Sequence, residues 1–212
     1  TGRLKSGWAF DMRLSKISSD GYIQRSGSDL KAMQIVGSKL IGERTLFSFQ
    51  ILSGAEKTGQ AWNGVSQDSL KTNRRYNELG IKADGTFYDD QTDNYQQTYY
   101  QTFLNHKFNK NWTGNIGLFL TRGKGFYQEY RLSEKLSSYN LPSFITPAGD
   151  TFNSSDMARQ LWLDNYYYGG LYGITYQKKK TEINIGGSVS QYSGLHYGIV
   201  KWAEYGVPID HK

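Results

Sequence analysis

The chain has 212 residues, 37% of them hydrophobic and 15% aromatic, with 24 Gly, 3 Pro, no Cys and a formal net charge of +6. No run approaches the roughly 18 apolar residues of a membrane helix, 17 Tyr and 5 Trp are too many for a disordered chain, and the lack of Cys excludes disulfide scaffolds, thiolate metal sites and cysteine nucleophiles. The positive charge permits an acidic partner, but outside Lys178, Lys179 and Lys180 the cations are scattered among acids, which reads as a solvated surface and not as a nucleic-acid site.

Period-two alternation dominates, as expected where successive side chains point to opposite faces of a strand. From Gly7 to Lys16, Trp8, Phe10, Met12 and Leu14 alternate with Ala9, Asp11, Arg13 and Ser15. A less regular strand follows at about Lys31 to Ser38. From Thr45 to Leu52, Phe47, Phe49 and Ile51 oppose Ser48 and Gln50. Between Tyr95 and Phe108, Tyr100, Leu104 and Phe108 alternate with Gln101, Asn105 and Lys107, while Tyr99 and Phe103 break the pattern. The stretch Trp112 to Arg122 sets Trp112, Ile116, Leu118 and Leu120 against Thr113, Asn115, Gly117 and Thr121, with Phe119 the exception. Tyr166, Tyr168, Tyr172, Ile174 and Tyr176 oppose Asn165, Gly169, Gly173 and Thr175; Ile183, Ile185 and Val189 oppose Glu182, Asn184, Ser188 and Ser190. Seven strands result. Leu195 to Trp202 is expected to continue the last one, and Thr1 to Ser6 is too short to span.

The connections alternate in length. Those near Lys39 to Arg44, Asn109 to Asn111 and Gln177 to Lys180 are short, whereas Ile17 to Asp29, Ser53 to Asn94 and Gly123 to Asp164 are long. All short turns therefore fall at one end of an up-and-down sheet and all long loops at the other, the expected signature of an outer-membrane barrel with an apolar band toward lipid and a polar lumen. Aromatic girdles are expected at Trp8, Phe108, Trp112 and Tyr176 on the short-turn side and at Tyr22, Tyr95, Tyr166 and Tyr192 on the loop side. The fold expected is all-β: an antiparallel, up-and-down transmembrane β-barrel segment of about seven strands. Single-chain bacterial barrels close with an even number of at least eight, so residues 1–212 are read as one partial barrel domain. The start at Thr1 has no signal segment, which reads as a fragment or a processed chain.

Four sequence blocks add a resemblance. Ser53 to Thr58 with Ala61 to Val65 and Leu70 to Arg74, then Asp93 to Thr98, then Thr121 to Tyr127, then Arg159-Gln160 with Trp162 to Asn165 and Tyr168 to Gly170, together resemble TonB-dependent outer-membrane receptors of the Bacteroidetes, in the same order. The resemblance implies a barrel of about 22 strands plugged by an N-terminal domain. It also implies an inner-membrane motor, the TonB complex, that pulls on the plug so that a ligand caught by the outer loops passes through. The implied ligand is a siderophore, haem, cobalamin or an oligosaccharide, and the implied place is the outer membrane of a Gram-negative cell, in contact with its lipids. Plug, motor-contacting segment and further strands are not seen in this sequence.

Catalytic and metal motifs are weak. His106, His196 and His211 have no partner at metal-ligand spacing. Asp89, Asp90 and Asp93 lack the distal Glu of a calcium loop. Gly123-Lys124-Gly125 lacks the setting of a nucleotide site, and the sequons at Asn111 and Asn153 are incidental. Asp11, Arg13 and Glu182 read as polar wall and not as a hydrolase pair. No enzyme activity, cofactor or metal is expected. Ligand binding is expected in the extracellular loops, where Trp62, Tyr76, Phe126, Tyr127, Tyr130, Trp162 and Trp202 offer rings and Arg74 and Arg131 offer polar contacts; the same rings would also serve to hold the loops together. Two other readings stay open: a complete small barrel acting as a passive pore or adhesin, and a soluble β-rich carbohydrate-binding module.

Overall fold

The computed structural model describes residues 2–206; His211 lies outside them. One antiparallel sheet holds β1 (Gly2–Arg3), β2 (Trp8–Ser19), β3 (Ser28–Ile41), β4 (Thr45–Gly59), β5 (Thr92–Lys107), β6 (Trp112–Lys135), β9 (Ser154–Lys178) and β10 (Thr181–Ala203), each paired with its neighbour in that order. A two-stranded piece, β7 (Phe144–Ile145) and β8 (Thr151–Phe152), sits in the connection between β6 and β9, beyond a 3-10 turn at Leu136–Tyr139. One helical turn, α1 (Ser69–Thr72), lies between β4 and β5. Leaving aside β1, which pairs with β2 through Gly2–Phe10 and Arg3–Ala9, seven long strands run up and down as the alternation requires.

The register carries a regular stagger. Trp8 lies level with Phe47 through Lys39, yet β4 begins two residues earlier, at Thr45. Thr45 is level with Gly114 through His106, and β6 begins two residues earlier, at Trp112. Trp112 is level with Ile183 through Tyr176, and β10 begins two residues earlier, at Thr181. The stagger is one residue per strand. With ~3.3 Å of rise per residue and ~4.8 Å between strands, that shear tilts the strands by about 35°, the inclination a closing barrel needs.

Both faces can be followed from the register. One carries Trp8, Phe10, Met12 and Leu14 on β2, Met33 and Ile35 on β3, Phe47, Phe49 and Ile51 on β4, and Tyr100 and Leu104 on β5; it continues with Ile116, Leu118 and Leu120 on β6, Tyr168, Tyr172 and Ile174 on β9, and Ile183, Ile185 and Val189 on β10. The other carries Asp11, Arg13, Gln34, Gln50, Gln101, Asn115, Asn184 and Ser188, with Gly117, Gly169 and Gly173 among them and Leu52, Phe103 and Phe119 interspersed. Tyr99 and Phe103, which broke the alternation, belong to this mixed face.

Among the described residues no second layer covers the apolar face. Met12 is 57% exposed, Leu118 58% and Val189 76%, and the buried apolar residues (Leu136, Leu141, Met157, Ala158, Val200 and Ala203) all lie at the loop end. A soluble sheet of this size would bury one face in a dry core. Here the apolar side chains pack only sideways: Trp8, Phe10, Phe47 and Phe49 form one cluster with centroids 5.7 to 6.5 Å apart. Phe49 and Phe10 close over Gly37, where a Cβ would collide with the Phe49 ring.

Two expectations need correction. The long connections shrink to residues 20–27, 60–91 and 136–153, because β2 and β3, β4 and β5, and β6 and β9 continue past the alternating segments; Leu195 to Trp202 does extend β10. The loop-side girdle is also incomplete. Tyr166 lies on the apolar face, but Tyr95 and Tyr192 lie on the mixed face and Tyr22 lies in the β2–β3 loop. On the short-turn side Trp112 and Tyr176 pack at 4.8 Å and Phe108 packs on His106 at 4.7 Å.

Candidate functional site

Above the apolar band the strand extensions and the 60–91 loop form one ordered structure. Strand alternation persists there, which divides the expected site residues between two faces. Phe126, Tyr130, Arg131 and Tyr127 belong to β6, Trp162 to β9 and Trp202 to β10, so none of these six is in a loop; only Trp62, Arg74 and Tyr76 are. Phe126, Trp162 and Tyr130 share the face of the apolar band, and Trp202 stacks there on Tyr130 at 6.1 Å. Trp162 packs between Phe126 at 4.5 Å and Tyr197 at 5.9 Å. Tyr127 and Arg131 point the other way.

The mixed face holds a cleft of about 640 Å³ built on two adjacent register rows. One row runs Glu56, Tyr95, Gly125, Leu163, His196, and the next runs Asp93, Tyr127, Leu161, Gly198. Gly125 lets the Tyr95 ring and backbone approach closely, since a Cβ there would collide with both, and at Gly198 a Cβ would press on the Leu161 side chain. Trp62, on the loop, meets the Tyr127 ring edge-on at 5.3 Å and is itself 57% exposed. Burial holds the Asp93 carboxyl above its usual range, partly offset by the Asn94 backbone N–H. Phe126, Trp162 and Tyr197 border the cleft, but their rings stack together on the opposite side of the sheet. Of the nine expected residues, Tyr127 thus lines the cleft from the mixed face, with Trp62 packed on its ring.

Glu56, Asp93, Tyr95 and His196 are cleft residues that the sequence reading missed. The signal was present: the alternation of β4, β5, β6 and β10, carried past the apolar band, places them on one face. Arg74 is exposed on the loop, and its neighbour Arg75 makes the contacts, donating to the Tyr22 carbonyl at 2.8 Å. Tyr76 meets Phe87 edge-on, and Phe87 in turn lies 3.6 Å beneath the Arg25 guanidinium.

Buried amides pin the loop to the sheet. The Gln60 amide donates to the Thr92 and Gln128 carbonyls, both at 3.0 Å, and accepts from Gln91 at 2.9 Å. Asn77 donates to the Gln60 and Gln24 carbonyls at 2.7 and 2.9 Å. The Tyr130 N–H donates to Gln91 at 2.8 Å, and Gln160 donates to Gln128 at 2.6 Å. Buried amides satisfied in this way give a unique, rigid arrangement. A second clamp holds the 136–153 connection: Arg159 pairs with Glu129 and donates to the Tyr139 hydroxyl, which donates to Glu134, itself paired with Arg131 at 2.7 Å. Burial would raise the Glu134 carboxyl, but Arg131, Arg159 and the Tyr139 hydroxyl outweigh it and hold it below its usual value. Arg131 therefore serves the clamp. The three acids read as a possible calcium loop do not converge: Asp90 meets Lys57 and Gln128 while Asp93 faces the cleft, and among the described residues no cluster able to hold a metal ion is present.

No protein-family model matches the chain, and no curated protein matches it. Among solved structures, the closed form of the ferric-catecholate import receptor Fiu from E. coli K12 matches with a TM-score of 0.62 at 12% identity, over 93% of this chain and 29% of that one. The chain thus spans under a third of the length of that receptor. A likeness at this identity establishes fold: the chain has the architecture of a stretch of antiparallel, up-and-down β-barrel wall.

Proposed function

We propose that the chain is part of the barrel of an outer-membrane, TonB-dependent transporter that captures and actively imports a scarce nutrient. The observation that carries the proposal is the uncovered apolar face, seven strands wide and capped by long connections at one end only. Each large apolar side chain moved from water to hydrocarbon gains roughly 1.5–3 kcal/mol, and an apolar surface this extensive marks a membrane or partner contact. Lipid then takes the apolar face and the lumen takes the face with Asp11, Arg13, Gln50 and Gln101. The cleft at Glu56, Asp93, Tyr95, Tyr127 and His196 lies on the lumen side, near its outer mouth, where an arriving ligand would be held.

The four sequence blocks support a receptor of the Bacteroidetes type, and the import role of Fiu supports active uptake. Coupling would run through a plug and the TonB complex. Glu56 and Asp93 make the cleft a poor host for a polyanionic ferric catecholate; haem, cobalamin and oligosaccharides, with less dense negative charge, suit it better. The test is fractionation of the source cells, followed by uptake of haemin, cyanocobalamin and a linear maltooligosaccharide with and without an intact TonB complex. Heat-modifiable protein in the outer-membrane fraction and energy-dependent uptake of one of these support the proposal. Uptake independent of the TonB complex would mean a passive pore, and recovery as a folded monomer in detergent-free buffer would mean a soluble module.

A further inference from the structure

Where the apolar band ends on the loop side, the same face turns cationic. Counted from the short-turn end, Lys16 stands eight residues beyond Trp8, Lys31 ten beyond Ile41, Lys57 twelve beyond Thr45, and Arg122 and Lys124 ten and twelve beyond Trp112. Because the stagger follows the strand tilt, similar counts mean similar heights. Five cations on four strands, β2, β3, β4 and β6, therefore form a belt at the level where a spanning strand of roughly 9–11 residues leaves hydrocarbon.

The belt is short of acid. Lys16 and Lys31 are direct cross-strand partners, an arrangement that like charges disfavour. Asp29 lies 3.9 and 3.8 Å from the two ammonium groups, which remain 62% and 64% exposed. Lys57 meets Asp90 at 3.3 Å, and Arg122 and Lys124 share Asp164 at 2.5 and 3.1 Å. Five cations face three carboxylates.

We infer that this belt binds the phosphate groups of an acyl lipid whose chains lie on the apolar band, with Lys16 and Lys31 as the principal clamp and Lys57 beside them. The inference rests on the reading of the apolar face as lipid-facing. Opposed strand positions place the two lysine stems ~5 Å apart, so one phosphate can meet both ammonium groups and relieve their repulsion. The stems lie along the apolar surface while the charged heads reach the headgroup layer. Solubility alone would call neither for two cations set opposite each other nor for a common height directly above Leu14 and Met33.

The test uses the full-length protein reconstituted into phosphatidylcholine vesicles with and without diphosphoryl lipid A, with retained lipid measured by native mass spectrometry after extraction. The wild type is expected to retain lipid A in preference to phosphatidylcholine. The combined Lys16→Gln, Lys31→Gln and Lys57→Gln variant is expected to retain at least roughly tenfold less, and the corresponding Arg variant to keep it. Equal retention by the Gln variant and the wild type overturns the inference, as does displacement of the lipid by inorganic phosphate alone, which would assign the belt to a soluble anion. A protein that inserts into both vesicles with no preference for lipid A overturns this inference only; one that inserts into neither overturns the barrel reading on which it rests.

Discussion

Tyr95 on β5 lays its ring across Gly123 of β6 and donates its hydroxyl to Asn165 Oδ1 of β9 at 3.1 Å, so one side chain ties three strands at the base of the cleft. A Cβ on Gly123 would collide with both the hydroxyl and the Asn165 amide. Gly123→Ala is therefore expected to cost about 1–3 kcal/mol, and Tyr95→Phe, which keeps the ring and loses the bond, about 1 kcal/mol. Thermal loss of heat-modifiable mobility reads both; an unchanged midpoint for Gly123→Ala would mean that the ring is not seated there.

Met157 and Leu136, 0% and 1% exposed, anchor the small apolar cluster under the 136–153 connection. Truncating Met157 to Ala should cost about 2–5 kcal/mol locally. The measurable result is faster proteolysis within residues 137–153 while β2 to β5 stay protected. Uniform loss of protection across the sheet would contradict a local anchor.

Arg25 stands outside every motif in the sequence, yet it covers Phe87 and donates to the carbonyls of Asn77 and Leu79. Its φ of 57° lies in the left-handed region, so Arg25→Gly relaxes the backbone while deleting the side chain. If the side chain is what holds the loop, amide exchange across residues 77–87 should accelerate by the equivalent of about 2 kcal/mol. Slower or unchanged exchange would assign the loop's order to the Gln60 network alone.

Burial, reinforced by the hydrogen bond to Asp156, pushes the Tyr130 hydroxyl up to about 12. With the folded value above the ordinary ~10, the stabilisation is fully present below pH ~10 and is lost as pH rises toward about 12. The phenolate absorbance difference between wild type and Tyr130→Phe should then isolate one late-titrating group. A missing component at the ordinary tyrosine value would refute its burial.

Alternation alone identified the seven strands, their up-and-down order and the apolar face, because a pleated strand converts sequence parity directly into direction. Trp8, Phe10, Met12 and Leu14 needed no partner to declare their side. The Lys16–Lys31 pairing, the stagger of one residue per strand and the cleft were tertiary decisions, since each depends on which residues of separate strands come level. Phe126, Tyr130, Trp162 and Trp202 show the difference most plainly. As loop aromatics they had no direction, whereas the extension of β6, β9 and β10 turned them away from the mixed face and left Tyr127, beside Asp93 and Tyr95, on it. The alternation within each strand sets those directions once the strands continue past the apolar band, and pairing between strands far apart in the chain is what makes them continue and decides which residues come level.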